Sequence, residues 1–113
     1  MLGGDALHSN NPIGGLGLTS GIADAFCFGN ALVRVVQGNE PALLLKNCAD
    51  ARRQTWIDST NLLSQANIDR LRASDGEAVA AREGFFKKLN TDSSFPAVVR
   101  AGMGKILVDT FEG

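Results

Sequence analysis

The chain has 113 residues, 44% of them hydrophobic and 20% charged, with a formal net charge of −1 at pH 7; that is enough for one domain with a core of its own. Lys and Arg are scattered rather than gathered in one block, which excludes the basic footprint of a nucleic-acid binder. No basic start with an apolar stretch marks a secretory signal, and no apolar run approaches the roughly 20 residues that span a bilayer, so a cytoplasmic chain without a membrane span is expected. Cys27 and Cys48 lack CxxC spacing, and a single histidine cannot complete a Cys/His zinc site. The two cysteines read as buried free thiols, and no metal is expected.

Residues 3–17 are rich in Gly, Asn and Pro and read as a loop. Ile22, Ala25, Phe26, Gly29, Leu32, Val33 and Val36 then recur at three- and four-residue steps. This predicts a helix from about Leu18 to Gln37 with those residues on its packing face. Gly38 and Asn39 suit its C-terminal end. Pro41 suits the first turn of a second helix, with Leu44, Leu45, Cys48, Ala51, Thr55 and Trp56 on the apolar face and Asp50, Arg52 and Arg53 on the solvated one. Ile57, Leu62, Leu63, Ile68 and Leu71 keep helical spacing, so residues 41–73 are either one long helix or two, broken near Ser59–Asn61. Ser74 and Asp75 are N-cap types, and Glu77 three residues after Ser74 gives the spacing of a capping box, marking the start of a helix that buries Val79, Phe85, Phe86 and Leu89. After a Ser-rich break, Val99, Met103, Ile106 and Leu107 mark a last helix weakened by Gly102 and Gly104. The fold class is mainly α: a glycine-rich loop followed by about four helices.

Gly15-Leu16-Gly17-Leu18-Thr19-Ser20 comes close to the dinucleotide fingerprint GxGxxG, but no apolar strand precedes it. Gly102 to Lys105 ends like a P-loop, yet Val99 and Ile106 stand where glycine and a magnesium-binding hydroxyl belong. His8 has no acid–base company at recognisable spacing and reads as bonding its own loop, so no catalytic residue is assigned. What is left is a glycine-rich loop delivering into a helix N-terminus, whose free N–H groups and partial positive charge suit an anion or an electron-rich carbonyl. Gly14, Gly15 and Gly17 leave room for a flat ligand, and Asp5 can accept hydrogen bonds from sugar-like hydroxyls.

The run Gly4-Asp5-Ala6, His8, Pro12, Gly14-Gly15, Gly17, Ser20-Gly21-Ile22 and Asp24-Ala25 resembles, without a gap, the pattern GDAAHxxPPxGGxGxNxGxxDA. That is the second flavin-binding motif of the FAD-dependent aromatic monooxygenases, the p-hydroxybenzoate hydroxylase and phenol hydroxylase group. The form of residues 14–25 looks most like the fungal members, and Leu44-Leu45 with Arg52-Arg53 matches the leucine and arginine pairs of the helix that follows. Thr19 for Asn, Asn11 for a proline and Cys48 for a tyrosine are departures. The resemblance implies FAD as cofactor, NAD(P)H as reductant and a phenol-like aromatic substrate that receives one oxygen atom from O2. It implies that Asp5 binds the ribityl chain and that Pro12 lies near the reactive edge of the ring. The backbone of Leu18 and Thr19 would meet the pyrimidine end, with Gly14, Gly15, Leu16 and Gly17 completing the cofactor site.

The same resemblance implies a fragment of an α/β, glutathione-reductase-like FAD-binding fold that lacks its Rossmann sheet, its N-terminal GxGxxG unit and its substrate domain. Residues 1–38 are then the FAD-binding segment, 39–90 the C-terminal helices of that domain, and 91–113 a helical tail of unassigned function. Alone, such a fragment is expected to be inactive, to hold flavin weakly and to self-associate through exposed apolar helix faces. The alternative is a non-enzymatic helical interaction module that keeps the flavin motif as a relic.

Overall fold

In a computed structural model, residues 2–107 are described. A single 3-10 turn, Gly4–Ala6, precedes five helices: α1 (Leu16–Val36), α2 (Leu43–Thr55), α3 (Asn61–Arg72), α4 (Gly76–Thr91) and α5 (Phe95–Gly104). The architecture is helical throughout, with no strand among the described residues. Residues 108–113, the end of the expected tail, lie outside them.

Helix α1 starts two residues earlier than its periodicity predicts, because Gly15 at φ 65° turns the chain into it. Its far end is a Schellman motif on Gly38 at φ 74°, with Gly38 N–H donating to Val35 O (3.0 Å) and Asn39 N–H to Arg34 O (3.2 Å). Beyond the turn, α2 and α3 form one rod, because a π turn at Trp56–Thr60 joins them with helical dihedrals on both sides. The question of one helix or two is thus answered as one, with a local widening. At the start of α4 the cap is Asp75, one of the two expected N-cap residues, whose Oδ1 accepts from Ala78 N–H (2.8 Å); Ser74 stands just outside the helix. Arg82 then reaches back to the C-terminal carbonyls of Arg70, Leu71 and Ala73 (3.3–3.4 Å), closing the end of α3.

The packing face of α1 is not the apolar stripe that its sequence suggests. Leu16, Ser20, Asp24, Cys27 and Ala31 are buried, whereas Ile22, Phe26, Leu32, Val33 and Val36 stand 50–76% exposed. The reason is pairwise matching across an antiparallel helix pair. Ser20 meets Thr60, Asp24 meets Arg52 and Cys27 meets Cys48, in successive layers along α1 and the rod. Four-residue spacing (Cys48, Arg52, Trp56, Thr60, Ser64) would drift about 40° per step around a regular α-helix. The wider π turn takes up part of that drift, so all five positions face α1 and its leading loop.

The buried apolar set is small: Leu16, Cys27, Ala31, Cys48 and Ile106, with Phe28, Leu44 and Leu45 partly covering the cysteines. The radius of gyration is 17.4 Å, well above the roughly 13 Å of a compact chain of this length. At the far end of the rod, α4 and α5 meet through Phe85 and Phe95, edge to face at 5.5 Å, with Arg70 over the Phe85 ring at 4.5 Å. Phe86, expected inside, is 47% exposed. By length and composition α1 is also apolar enough to cross a bilayer, which corrects the expectation that no run approaches that length.

Candidate functional site

The loop ahead of α1 is tied down by a buried polar cluster. Asp24 is 1% exposed, and its Oδ2 accepts from Gly4 N–H (2.8 Å) and from His8 Nε2 (2.9 Å), while Oδ1 accepts from Arg52 Nε (2.7 Å). Arg52 is 2% exposed and sends Nη1 on to Ile106 O (3.2 Å). A buried carboxylate is tolerable only when paired and hydrogen-bonded, and this one has a cation and two further donors. Two sequence expectations are corrected here. Arg52 lies inside rather than on a solvated face, and His8 bonds α1 rather than its own loop.

His8 also stacks on Trp56, with ring centroids 5.7 Å apart and planes 11° from parallel. Trp56 Nε1 donates to Asn10 Oδ1 (3.0 Å), and Asn11 Nδ2 donates to Ser64 O (2.9 Å) and Ser64 Oγ (2.6 Å). Three consecutive parts of the loop are therefore clamped to α1, the π turn and α3. Sequence reasoning missed this scaffold, although His8, Asp24 and Arg52 all stood within the recognised pattern; the signal was a lone aspartate and an arginine pair in otherwise helical stretches.

Held this way, the loop turns sharply into the helix. Pro12 is exposed and its carbonyl accepts from Gly15 N–H (3.3 Å); Gly14 and Gly15 sit at φ 91° and 65°, where a side chain is strained. No side chain caps the N-terminus of α1, so its first N–H groups keep their donor capacity for something outside the helix. Thr19 Oγ1 folds back to Gly15 O (3.2 Å). Asp5 is exposed, and a Cβ built on Gly17 would stand 3.7 Å from Asp5 Oδ1. The carboxylate and the uncapped helix end are thus neighbours.

Between them runs a groove of about 480 Å³ lined by Gly4, Asp5, Gly17, Leu18, Gly21, Ile22 and Ala25. At its base Gly21 packs against Gly4, whose Cα would lie 3.7 Å from a Cβ at position 21. Of the residues assigned by resemblance, Asp5, Gly17 and Leu18 line this groove, with Thr19 next in α1, and Pro12, Gly14 and Gly15 form the turn at its end. Leu16 is the exception: its side chain is 1% exposed and faces a second cavity of about 520 Å³, shared with Gly14, Leu62, Phe85, Met103 and Ile106 and edged by Arg70 and Lys105.

The family described as FAD binding domain matches residues 1–60, the loop, α1, α2 and the π turn. This chain belongs to the FAD-binding domain family. FAD is its cofactor, and the groove fits that assignment, because three glycines open one wall, a carboxylate faces them, and a free helix N-terminus closes the end. The chain is 32% identical over 109 residues to para-nitrophenol 4-monooxygenase of Pseudomonas sp. (strain WBC-3), covering 96% of this chain and 25% of that protein. It is 39% identical over 72 residues to 6-hydroxy-3-succinoylpyridine 3-monooxygenase HspB of Pseudomonas putida (strain DSM 28022 / S16), covering 64% and 18%. It is 38% identical over 85 residues to dialkyldecalin synthase of Streptomyces rugosporus, covering 65% and 18%. The chain thus spans a quarter or less of the length of these relatives. No solved structure matches it.

Proposed function

We propose that this chain forms the ribityl and isoalloxazine half of the FAD site of an NAD(P)H-dependent monooxygenase acting on a phenol-like aromatic compound. The observation that carries this reading is the groove that sets the Asp5 carboxylate beside the uncapped N-terminus of α1. Asp5 accepts hydrogen bonds from ribityl hydroxyls. The backbone of Leu18 and Thr19, in the first turn of α1, would meet the pyrimidine end, where the free N–H groups of that turn would stabilise negative charge through preorganised dipoles. Gly14 and Gly15 keep the turn flat enough for a ring to lie against it. When bound, the cofactor supplies the redox chemistry, hydride acceptance from NAD(P)H and reduction of O2. The names of two relatives, which specify a nitrophenol and a hydroxypyridine, support an aromatic substrate. The second cavity, beside Gly14 and walled by Leu62, Phe85 and Met103, is the apolar volume that this chain offers such a ring.

The test is a titration of the chain with FAD, followed by flavin fluorescence, with Asp5→Ala alongside. Saturable quenching is expected, weakened roughly tenfold or more in the variant, the worth of a hydrogen bond to a charged group. No saturation up to millimolar FAD, or equal binding by the variant, refutes the assignment of Asp5 and the groove.

A further inference from the structure

We propose that Cys27 and Cys48 are a built cross-linking site, a thiol pair set to close reversibly into a disulfide that staples α1 to α2. The flavin reading is not needed for it. The two sulfurs are in contact, Sγ to Sγ 2.6 Å, on facing helices, and each residue is at most 3% exposed. Each lies about one turn beyond the Asp24–Arg52 pair, which fixes the register of α1 against α2. Phe28, Leu44 and Leu45 pack around them. Burial, with the Cys27 thiol as neighbour, pushes the Cys48 thiol far above its ordinary range, so Cys48 rests as a protonated thiol. Closure therefore proceeds when the helix pair opens and a thiolate is exposed.

The reaction is thiol–disulfide exchange with a small disulfide oxidant such as oxidised glutathione. One cysteine thiolate attacks the oxidant's S–S bond, forming a mixed disulfide and releasing one reduced glutathione. The other cysteine then attacks the mixed disulfide, forming the Cys27–Cys48 bond and releasing the second. Two protein thiols are oxidised, one glutathione disulfide is reduced, and the two protons pass to the departing thiolates.

The experiment equilibrates the chain in graded glutathione redox buffers, with and without urea, and quenches by alkylation. Arg34 and Lys46 lie between the two cysteines, so trypsin separates peptides 1–34 and 47–52 unless the bond joins them. The expected result is a cross-linked peptide pair, cleaved by dithiothreitol, whose effective thiol concentration in native buffer exceeds that in urea at least tenfold. Helix content by circular dichroism accompanies both conditions. An effective concentration in native buffer equal to or below that in urea, or intermolecular disulfides in place of the internal one, overturns the proposal. Cys48→Ala and Cys27→Ala each leave one alkylatable thiol and no internal bond; a cross-link persisting in either also overturns it.

Discussion

Replacing Arg52 by alanine tests whether the buried ion pair governs the fold of the glycine-rich loop. The substitution removes the cation 2.7 Å from Asp24 Oδ1 and the bond to Ile106 O, and leaves a carboxylate at 1% exposure with only Gly4 N–H and His8 as donors. Breaking a buried pair from one side costs about 3–5 kcal/mol. Against the 5–15 kcal/mol that holds a typical domain together, and with an m-value near 2 kcal/mol/M, the urea midpoint should fall by roughly 2 M. Trp56, the single tryptophan, stacks on His8 inside the same cluster, so its fluorescence reports the transition directly. Replacing both partners at once, Asp24→Leu with Arg52→Met, should cost markedly less than Arg52→Ala, because no charge is left buried alone. An unfolding free energy for Arg52→Ala within about 0.5 kcal/mol of the wild type, the range of an ordinary surface change, would refute the reasoning.

Gly14→Ala should lose about 2–3 kcal/mol in a thermal melt, from strain at φ 91° and a Cβ 2.8 Å from Asn67 Nδ2, and Gly15→Ala only about 1 kcal/mol, because nothing lies within 4 Å of its Cβ; the reverse order counts against the turn described. Asp92 accepts from Ser94 Oγ and Ser94 N–H, which hold its carboxyl below the usual 3.8. Its contribution to the start of α5 is therefore present above that ordinary value and fades as pH falls through the lower folded one. NMR titration should find Asp92 below 3.8, and Ser94→Ala should move it back up. Sedimentation velocity should show concentration-dependent association through Ile22, Phe26 and Val33, which are 58%, 70% and 52% exposed, and Phe26→Glu should suppress it. A monomer at every concentration refutes the role of that face.

Helix existence and most helix ends were legible in the sequence because they depend on local chemistry. Gly38 closes α1 through its left-handed φ, and Pro96 sits in the first turn of α5, where its missing N–H leaves no bond unmade. The glycine turn was legible for the same reason, since Gly14 and Gly15 are fixed by the backbone of one tight turn. The scaffold was not. Asp24, Arg52 and His8 are polar residues whose burial depends on partners 16 to 28 positions away, and periodicity sends polar residues to solvent.

The same limit reversed the face of α1. Hydrophobic spacing identifies a stripe that needs covering, but not what covers it, and here Ile22, Phe26 and Val33 face away from α2 and α3. By itself the sequence determined four local facts of this protein: its helical segments, its glycine turn, its two thiols and the lack of a basic patch. The tertiary structure decided which side of α1 is buried, that α2 and α3 are one rod, and that Asp5 meets the helix N-terminus. Those outcomes depend on matching three polar and thiol pairs in register across two helices, and pairing free energy between distant residues has no signature in either residue alone.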